Sequence, residues 1–465
     1  MLAQKRGFTD LDDMRLVYRG NKILSDLFSK STHSIRQLCN READAKGVYR
    51  FLHNERVSED DIVRNLSANC RAACQGRYVV CLEDTTGINL SSHRGRIKVG
   101  EDIGITNTGQ KKGLGFFLHP CLVVDARQGI PYGYSDVKLW NRPLTLTSKH
   151  ERRYSGLPID QKESYKWIEV SQNTQAALRD VVPGMVIVQD REGDIYEQFA
   201  LLPDEKTDLL IRASSNRTLK DKTKLFSCLE NQPPQGSYEV VVQAKKNRPR
   251  RTAHLEVRYK EVEITKTQST GKGVAGVVKL WLVEAKEVGY SGGDKLCWRL
   301  LTTIAVGSVE MANTCIEWYC WRWMIEEVFR ILKKEGYDIE ASELESAAAV
   351  RKLSLLIMEV VIQLFLMRLA YAQPEVELSA GSCFTEQEQA FLEHQITVLE
   401  GGTEKQKNPC KQTSLRRYVW AIARLGGWKG YESKRRPGIT CLWIGLKRFK
   451  DAFQGWQIHR NVSTR

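Results

Sequence analysis

Two short apolar runs that each empty into an aspartate constrain this chain more than any other feature. The runs at 78–82 (in RYVVCLEDTT) and 185–188 (in GMVIVQDREGDIYE) are aliphatic and β-branched, and turn-forming residues bound them, so both read as buried strands. Asp84 and Asp190 then stand just past the C-terminal ends of those strands, where open sheets expose their functional side chains. The shared placement points to chemistry, although an Asp after a strand is also a common turn or helix cap.

Around these runs the texture alternates. FFLHPCLVVDARQGIPYGYSDVKLW reads as a hairpin or meander turning at Arg127-Gln128-Gly129 and at Pro131-Tyr132-Gly133, and LLIRASSN reads as a further strand. From about 215 to 305, strand-like segments (YEVVVQA, HLEVRYKEVEI, VVKLWLVEA, CWRLLTTIAV) alternate with basic loops, notably KKNRPRR at 245–251, which makes a β insertion. The first seventy-odd residues instead read as short helices. Thr9 is expected to cap a helix starting at Asp10, and Ser58 with Asp61 forms a capping-box pattern before a helix that Gly76 would end. In AKGVYRFLHN, Lys46, Arg50 and His53 accompany Tyr49 and Phe51, a mixture suited to DNA phosphates or simply to a solvated face.

Beyond the insertion a long helical pattern covers 312–335, and an apolar helix follows at 353–372. Glu359, Gln363 and Arg368 would be costly in lipid, so this segment reads as a buried helix and no membrane partner is expected. A polar linker around GGTEKQKNPCKQ leads to two amphipathic helices, SLRRYVWAIARLGGW and ITCLWIGLKRFKDAF. Their apolar faces, carrying Trp420, Ile422, Leu442 and Ile444, suit either a dimer contact or a monomer core. The chain thus divides into a helical region at 1–76, an α/β region at 77–372 and a helical region at 373–465.

Charge narrows the partner. Lys and Arg number 70 against 56 Asp and Glu, a formal net charge of +14, so a polyanion, nucleic acid first, is the expected partner. The 12 cysteines are scattered without a CxxC pair, which argues against structural zinc, and they read as reduced thiols. With no apolar segment in MLAQKRGFTDLDD, a reducing cytoplasm is the expected location. The eight histidines show no HxH or HExxH spacing and no GxxxxGK[ST] loop occurs, so zinc hydrolysis and P-loop chemistry are disfavoured.

The helix around residue 326 sharpens the case. At 100° per residue from Tyr319, Arg322 falls at about 300°, Glu326 at about 340° and Lys333 at about 320°. Trp318, Trp321, Ile325, Val328, Phe329 and Leu332 occupy an arc from roughly 180° to 280°, so the apolar side can pack on a sheet while Tyr, Arg, Glu and Lys address one site. An i, i+4 ion-pair face would account for the Arg and Lys but not for the Tyr in their stripe. Three carboxylates, Asp84, Asp190 and Glu326, supply the oxygen ligands that a pair of magnesium ions requires, and such a pair activates an attacking oxygen and stabilises a departing one at a phosphodiester.

The segment Tyr319-x2-Arg322-x3-Glu326-x6-Lys333, with LEDTT around Asp84 and QDREGDIYE around Asp190, resembles the DDE transposases of bacterial insertion sequences, specifically the group with the Tyr-Arg-Glu-Lys signature. The similarity includes GVYRFLHN near the start and WAIARLGGW and SKRRPGI near the end. It implies an α/β fold with a ribonuclease-H-like catalytic core, a β-strand insertion and flanking helical domains, the first gripping DNA ends and the last dimerising. Asp84, Asp190 and Glu326 would bind two Mg2+ ions, for which Mn2+ can substitute. Tyr319, Arg322 and Lys333 would contact phosphates near the cut end; Arg212, at the end of LLIRASS, is a candidate phosphate contact weighed against an ordinary surface Arg, and Lys46 and Arg50 are candidates from their own residue mixture. Trp298, in CWRLLTT, would stack a base flipped out of a DNA hairpin, a physically sensible use of an aromatic platform, although a Trp on a strand is usually core. Members cut the terminal inverted repeats of their own element in double-stranded DNA, pass through the hairpin, and join the ends to target DNA as a homodimer. Where the family often has Ala, this chain has Gly193, expected only to loosen the helix start. A DNA-end-binding derivative without catalysis and a general metal-dependent nuclease are the alternatives.

Overall fold

The computed structural model describes residues 6–30, 32–97, 100, 102–107, 113–144, 157–242, 249–266, 270, 273–334, 336–431 and 436–463. Residues 245–248 of KKNRPRR and 433–435 of SKRRPGI lie outside that set.

Four helices open the chain: α1 (Met14–Lys30), α2 (Ile35–Leu38), α3 (Glu42–Leu52) and α4 (Glu59–Cys74). The capping box is present on α4, where Ser58 Oγ accepts from the Asp61 N–H at 3.0 Å and Asp61 Oδ2 accepts from the Ser58 N–H at 2.7 Å. Gly76 follows with φ +70°, a left-handed stop. Thr9 does not cap α1, contrary to expectation. The Phe8 and Thr9 N–H groups are held by Asn21 and Asn65, which keeps the chain extended, and the helix begins only after Asp13, whose carbonyl receives the Leu16 and Val17 N–H groups. Phe51 is also not a surface residue. It is buried and meets Phe8 edge to face.

The described strands form one mixed sheet: β1 (Val79–Glu83), β2 (Thr86–Asn89), β3 (Gly104–Ile105), β4 (Leu114–Asp125), β5 (Pro131–Trp140), β6 (Met185–Gln189), β7 (Thr207–Arg212), β8 (Gly236–Val242), β9 (Arg251–Thr265), β10 (Val277–Val288) and β11 (Cys297–Thr302). Its centre is β1, buried throughout, antiparallel to β4 on one side and parallel to β6 on the other, with Leu82 opposite Val188. β5 lies on the far edge of β4, and β7 runs parallel to β6. Helices α5 (Tyr165–Leu178) and α6 (Tyr196–Leu201) make the connections into β6 and β7. The insertion continues the sheet as a meander, β11 pairing antiparallel with β7 and β10, β9 and β8 following outward.

The β4–β5 hairpin turns at the expected Arg127-Gln128-Gly129, where Gly129 takes φ +63° and Asp125 Oδ1 accepts two backbone N–H groups. Pro131-Tyr132-Gly133 is not a second turn. It opens β5 and makes a bulge, with Gly133 opposite Val123 and Pro131 opposite Val124.

Helices α7 (Val309–Trp321), α8 (Trp323–Lys333), α9 (Ala347–Ala372), α10 (Glu386–Leu399), α11 (Leu415–Leu425) and α12 (Ile439–Ser463) complete the chain. The expected single helix over 312–335 is broken at Arg322, whose N–H reaches Tyr319 O while its own carbonyl receives the Ile325 N–H, both i to i+3 steps that tighten the junction. α9 is long and apolar enough to span a membrane by composition, yet most of it is buried among α1, α4, α8, α11 and β5. Its buried charges are paired internally: Arg351 with Glu59 at 2.7 Å, and Glu359 with Arg6 at 2.5 Å and Asn69 at 3.2 Å. Trp420, Ile422 and Leu442 close this same core, whereas Ile444 remains 43% exposed.

Candidate active site

Because β1 and β6 are parallel neighbours in register, Asp84 and Asp190 leave the sheet side by side. Glu326 comes to them from the first turn of α8. Arg322, buried at the α7–α8 junction, holds the group together: its guanidinium contacts Asp84, lies 2.9 Å from Glu326 Oε1 and 3.9 Å from Asp190 Oδ2. The Tyr319 hydroxyl donates to Asp190 Oδ1 at 3.1 Å, and Arg212 reaches the same oxygen at 3.8 Å and the Tyr319 hydroxyl at 3.3 Å. Lys333 Nζ donates to Thr86 Oγ1 at 2.9 Å on β2, and Trp298 meets Tyr319 edge to face at 5.8 Å. Eight of the sequence-selected residues therefore gather at one end of the central strands. Lys46 and Arg50 lie elsewhere, on the exposed side of α3, with Lys46 paired to Glu42 at 2.8 Å.

The electrostatics follow from partial burial. Desolvation pushes the Asp84 carboxyl up to about 6, with Glu326 and Asp190 adding repulsion, while Arg322 and the Thr85 N–H pull the other way. Tyr319 rises to about 12 through burial and the charge of Asp190. Burial works against the charge on Arg322, but Asp84, Tyr319, Asp190 and Glu326 hold its pKa above the usual value. Lys333 is lowered by burial.

Among the described residues no three His, Cys, Asp or Glu side chains stand close enough to share a metal ion, because the Arg322 guanidinium lies between the three carboxylates. The donor set nevertheless fits a hard divalent cation, because the oxygens that Asp84, Asp190 and Glu326 turn toward the guanidinium are all carboxylate oxygens.

A buried polar layer beneath the aspartates is not apparent from the sequence pattern. Glu83, fully buried, accepts from Ser171 Oγ at 3.0 Å and from Gln189 Nε2 at 2.7 Å, and His119 Nε2 stands 3.5 Å away. Burial raises the Glu83 carboxyl and lowers His119. Gly193 belongs to this layer: it sits in a 3-10 turn, and a Cβ there would fall 2.2 Å from Gln189 Oε1, so its role is close packing and not a looser helix start. The only sequence signal for these residues is a Glu and a Gln ending otherwise apolar strands.

Together these features make an α/β protein whose carboxylates are ringed by cationic and aromatic side chains at the end of a mixed sheet. A family model described as transposase DNA-binding matches residues 2–57, and one described as transposase DDE domain matches residues 173–360; the chain is a DDE transposase with a DNA-binding domain. Among solved structures, a piggyBac transposase synaptic complex with hairpin DNA aligns at 12% identity and a TM-score of 0.35, covering 91% of this chain and 84% of that one, a likeness too distant to bear on the reaction.

Proposed function

We propose that this protein is a cut-and-paste transposase of the Tyr-Arg-Glu-Lys signature group of bacterial insertion sequences, acting in the cytoplasm on the terminal inverted repeats of its own element. In this reading residues 1–76 grip the DNA end, 77–372 form a ribonuclease-H-like catalytic domain with its β insertion, and 373–465 serve a homodimer. The core reading is supported by the order β5, β4, β1, β6, β7, three antiparallel strands followed by two parallel to the first.

The observation that carries the proposal is the convergence of Asp84, Asp190 and Glu326 on one guanidinium. Asp84, Asp190 and Glu326 would hold two Mg2+ ions. Bound there, such ions activate the attacking water or 3′ hydroxyl and stabilise the departing oxygen. For the ions to enter, Arg322 must swing away from the carboxylates, and a DNA phosphate is the natural acceptor for its planar donors. Tyr319 and Arg212 lie beside the same group, Lys333 is held at Thr86, two residues after Asp84, and all three would orient the strand by its phosphates. Trp298, half-buried against Tyr319, keeps an aromatic surface next to the site for a base unstacked in a hairpin.

The test is cleavage of a linear duplex bearing the repeats that flank the gene, comparing wild type with Glu326→Ala, with and without magnesium. Nicks at the repeat boundary followed by hairpins, only with wild type and metal, are expected. Binding without cleavage under any divalent ion would instead make the protein an end-gripping derivative, and cleavage without regard to the repeat would make it a general nuclease.

A further inference from the structure

Successive residues of a strand face opposite sides of a sheet, so the strand ends that present Asp84 and Asp190 to α8 present Glu83 and Gln189 to α5 and α6. On that side hydrogen bonds tie the two strand ends to α5 and α6. Thr85 Oγ1, in the residue after Asp84, lies 2.8 Å from His119 Nδ1, whose other ring nitrogen faces Glu83. Gln189 Nε2 donates to Glu83 Oε2 at 2.7 Å and lies 3.1 Å from Ser171 Oγ. Gln189 Oε1 accepts in turn from Gln198 Nε2 at 2.8 Å, and that same nitrogen donates to Gly193 O at 2.7 Å. These bonds hold Glu83, the residue before Asp84, Gln189, the residue before Asp190, and the turn that follows Asp190. Gln198, Gln189, Ser171, His119 and Glu83 are all buried.

Apolar side chains of similar volume would fill this layer without the desolvation cost of so many polar groups, so its contribution is geometry more than stability. Two ions shared by Asp84 and Asp190 tolerate little variation in carboxylate separation, because Mg2+ demands near-ideal octahedral oxygens.

We propose that Gln198, through Gln189 and Glu83, is a positioning residue that fixes the spacing of Asp84 and Asp190 for divalent metal binding. The proposal rests on the reading of those aspartates as metal ligands. It is tested by titrating the full-length protein with Mn2+ and measuring free ion by electron paramagnetic resonance, alongside the thermal midpoint in chelator, for wild type, Asp84→Asn, Gln198→Leu and Ser171→Ala. Gln198→Leu, acting through Gln189, is expected to weaken Mn2+ binding by about tenfold, the low end for losing an outer-shell partner, while the metal-free protein stays folded with a midpoint lowered by the two orphaned acceptors. Should Gln198→Leu not fold, Ser171→Ala, which removes a donor to Glu83 at little cost in volume, must weaken Mn2+ binding at least severalfold. Wild-type Mn2+ affinity in the folded Gln198 or Ser171 variant, with binding lost in Asp84→Asn, overturns the positioning role and leaves the proposed function intact. Wild-type affinity in Asp84→Asn overturns both.

Discussion

Asp84 is where burial, charge and chemistry meet most sharply. Its carboxyl, 22% exposed, touches Arg322 and yet is pushed up to about 6 from an ordinary value of 3.8, because desolvation outweighs the ion pair. The native state therefore binds this proton more tightly than the unfolded chain. The resulting stabilisation is complete below about pH 4 and is lost as pH rises through about 6, to the extent of about 3 kcal/mol. In chelator, the stability difference between wild type and Asp84→Asn should shift against wild type by that order between pH 4 and pH 7, read from urea midpoints. A difference that stays flat across this window refutes the burial argument. Asp84, Asp190 and Glu326 were legible in the sequence because each is a charged residue just beyond an apolar run or on the edge of an apolar helical face. Gln198 and His119 were not: a lone polar residue in a helix or strand carries no mark of which way it faces until the packing is known. Gly193 misled for a related reason, since its role is contact with the Gln189 side chain and not backbone freedom.

Among elements, α9 does most to join the parts. Arg6, from the segment preceding α1, runs its guanidinium into the core to meet Glu359 on α9 and the Tyr132 carbonyl on β5, so one buried pair links the N-terminal region, the central helix and the sheet. The two side chains are only 6% and 3% exposed. Removing one partner of such a pair strands the other charge in the interior. Glu359→Ala should therefore cost about 3 to 5 kcal/mol, seen as a lower denaturant midpoint, and an unchanged midpoint would mean that Arg6 escapes to solvent at no cost. The sequence showed that α9 is buried, from charges incompatible with lipid, but not what answers those charges, because Arg6 and Glu359 are far apart in the chain. The α7–α8 break was likewise hidden: the wheel placed Tyr319, Arg322, Glu326 and Lys333 on one stripe, and a single tightened step at Arg322 leaves that convergence intact.

At the scale of the whole molecule, the insertion adds its strands to the edge of the central sheet instead of folding apart, which places Trp298 on β11, one strand from β7 and beside Tyr319. Run lengths and turn residues revealed the strands but not their order, since pairing between distant segments leaves no local mark. Charge was readable only as a total: an excess of 14 positive charges says that a polyanion is attracted, not where it lies. Among the selected cations the structure separates two places, Arg212 and Arg322 at the carboxylates with Lys333 nearby on Thr86, and Lys46 with Arg50 on the exposed side of α3. The α3 pair lies within the stretch matched by the transposase DNA-binding model, residues 2–57. If both side chains meet phosphates when a DNA end is bound, each neutralises one backbone charge and releases counterions. Lys46→Ala and Arg50→Ala should then each reduce the slope of log affinity against log salt by about 0.9, and the double variant by about 1.8, while cleavage of bound DNA proceeds at the wild-type rate. Affinity titrations at several salt concentrations measure that slope directly. An unaltered slope would return Lys46 to its pair with Glu42 and make this face of α3 a solvated surface, leaving DNA-end recognition to other residues of the N-terminal helices.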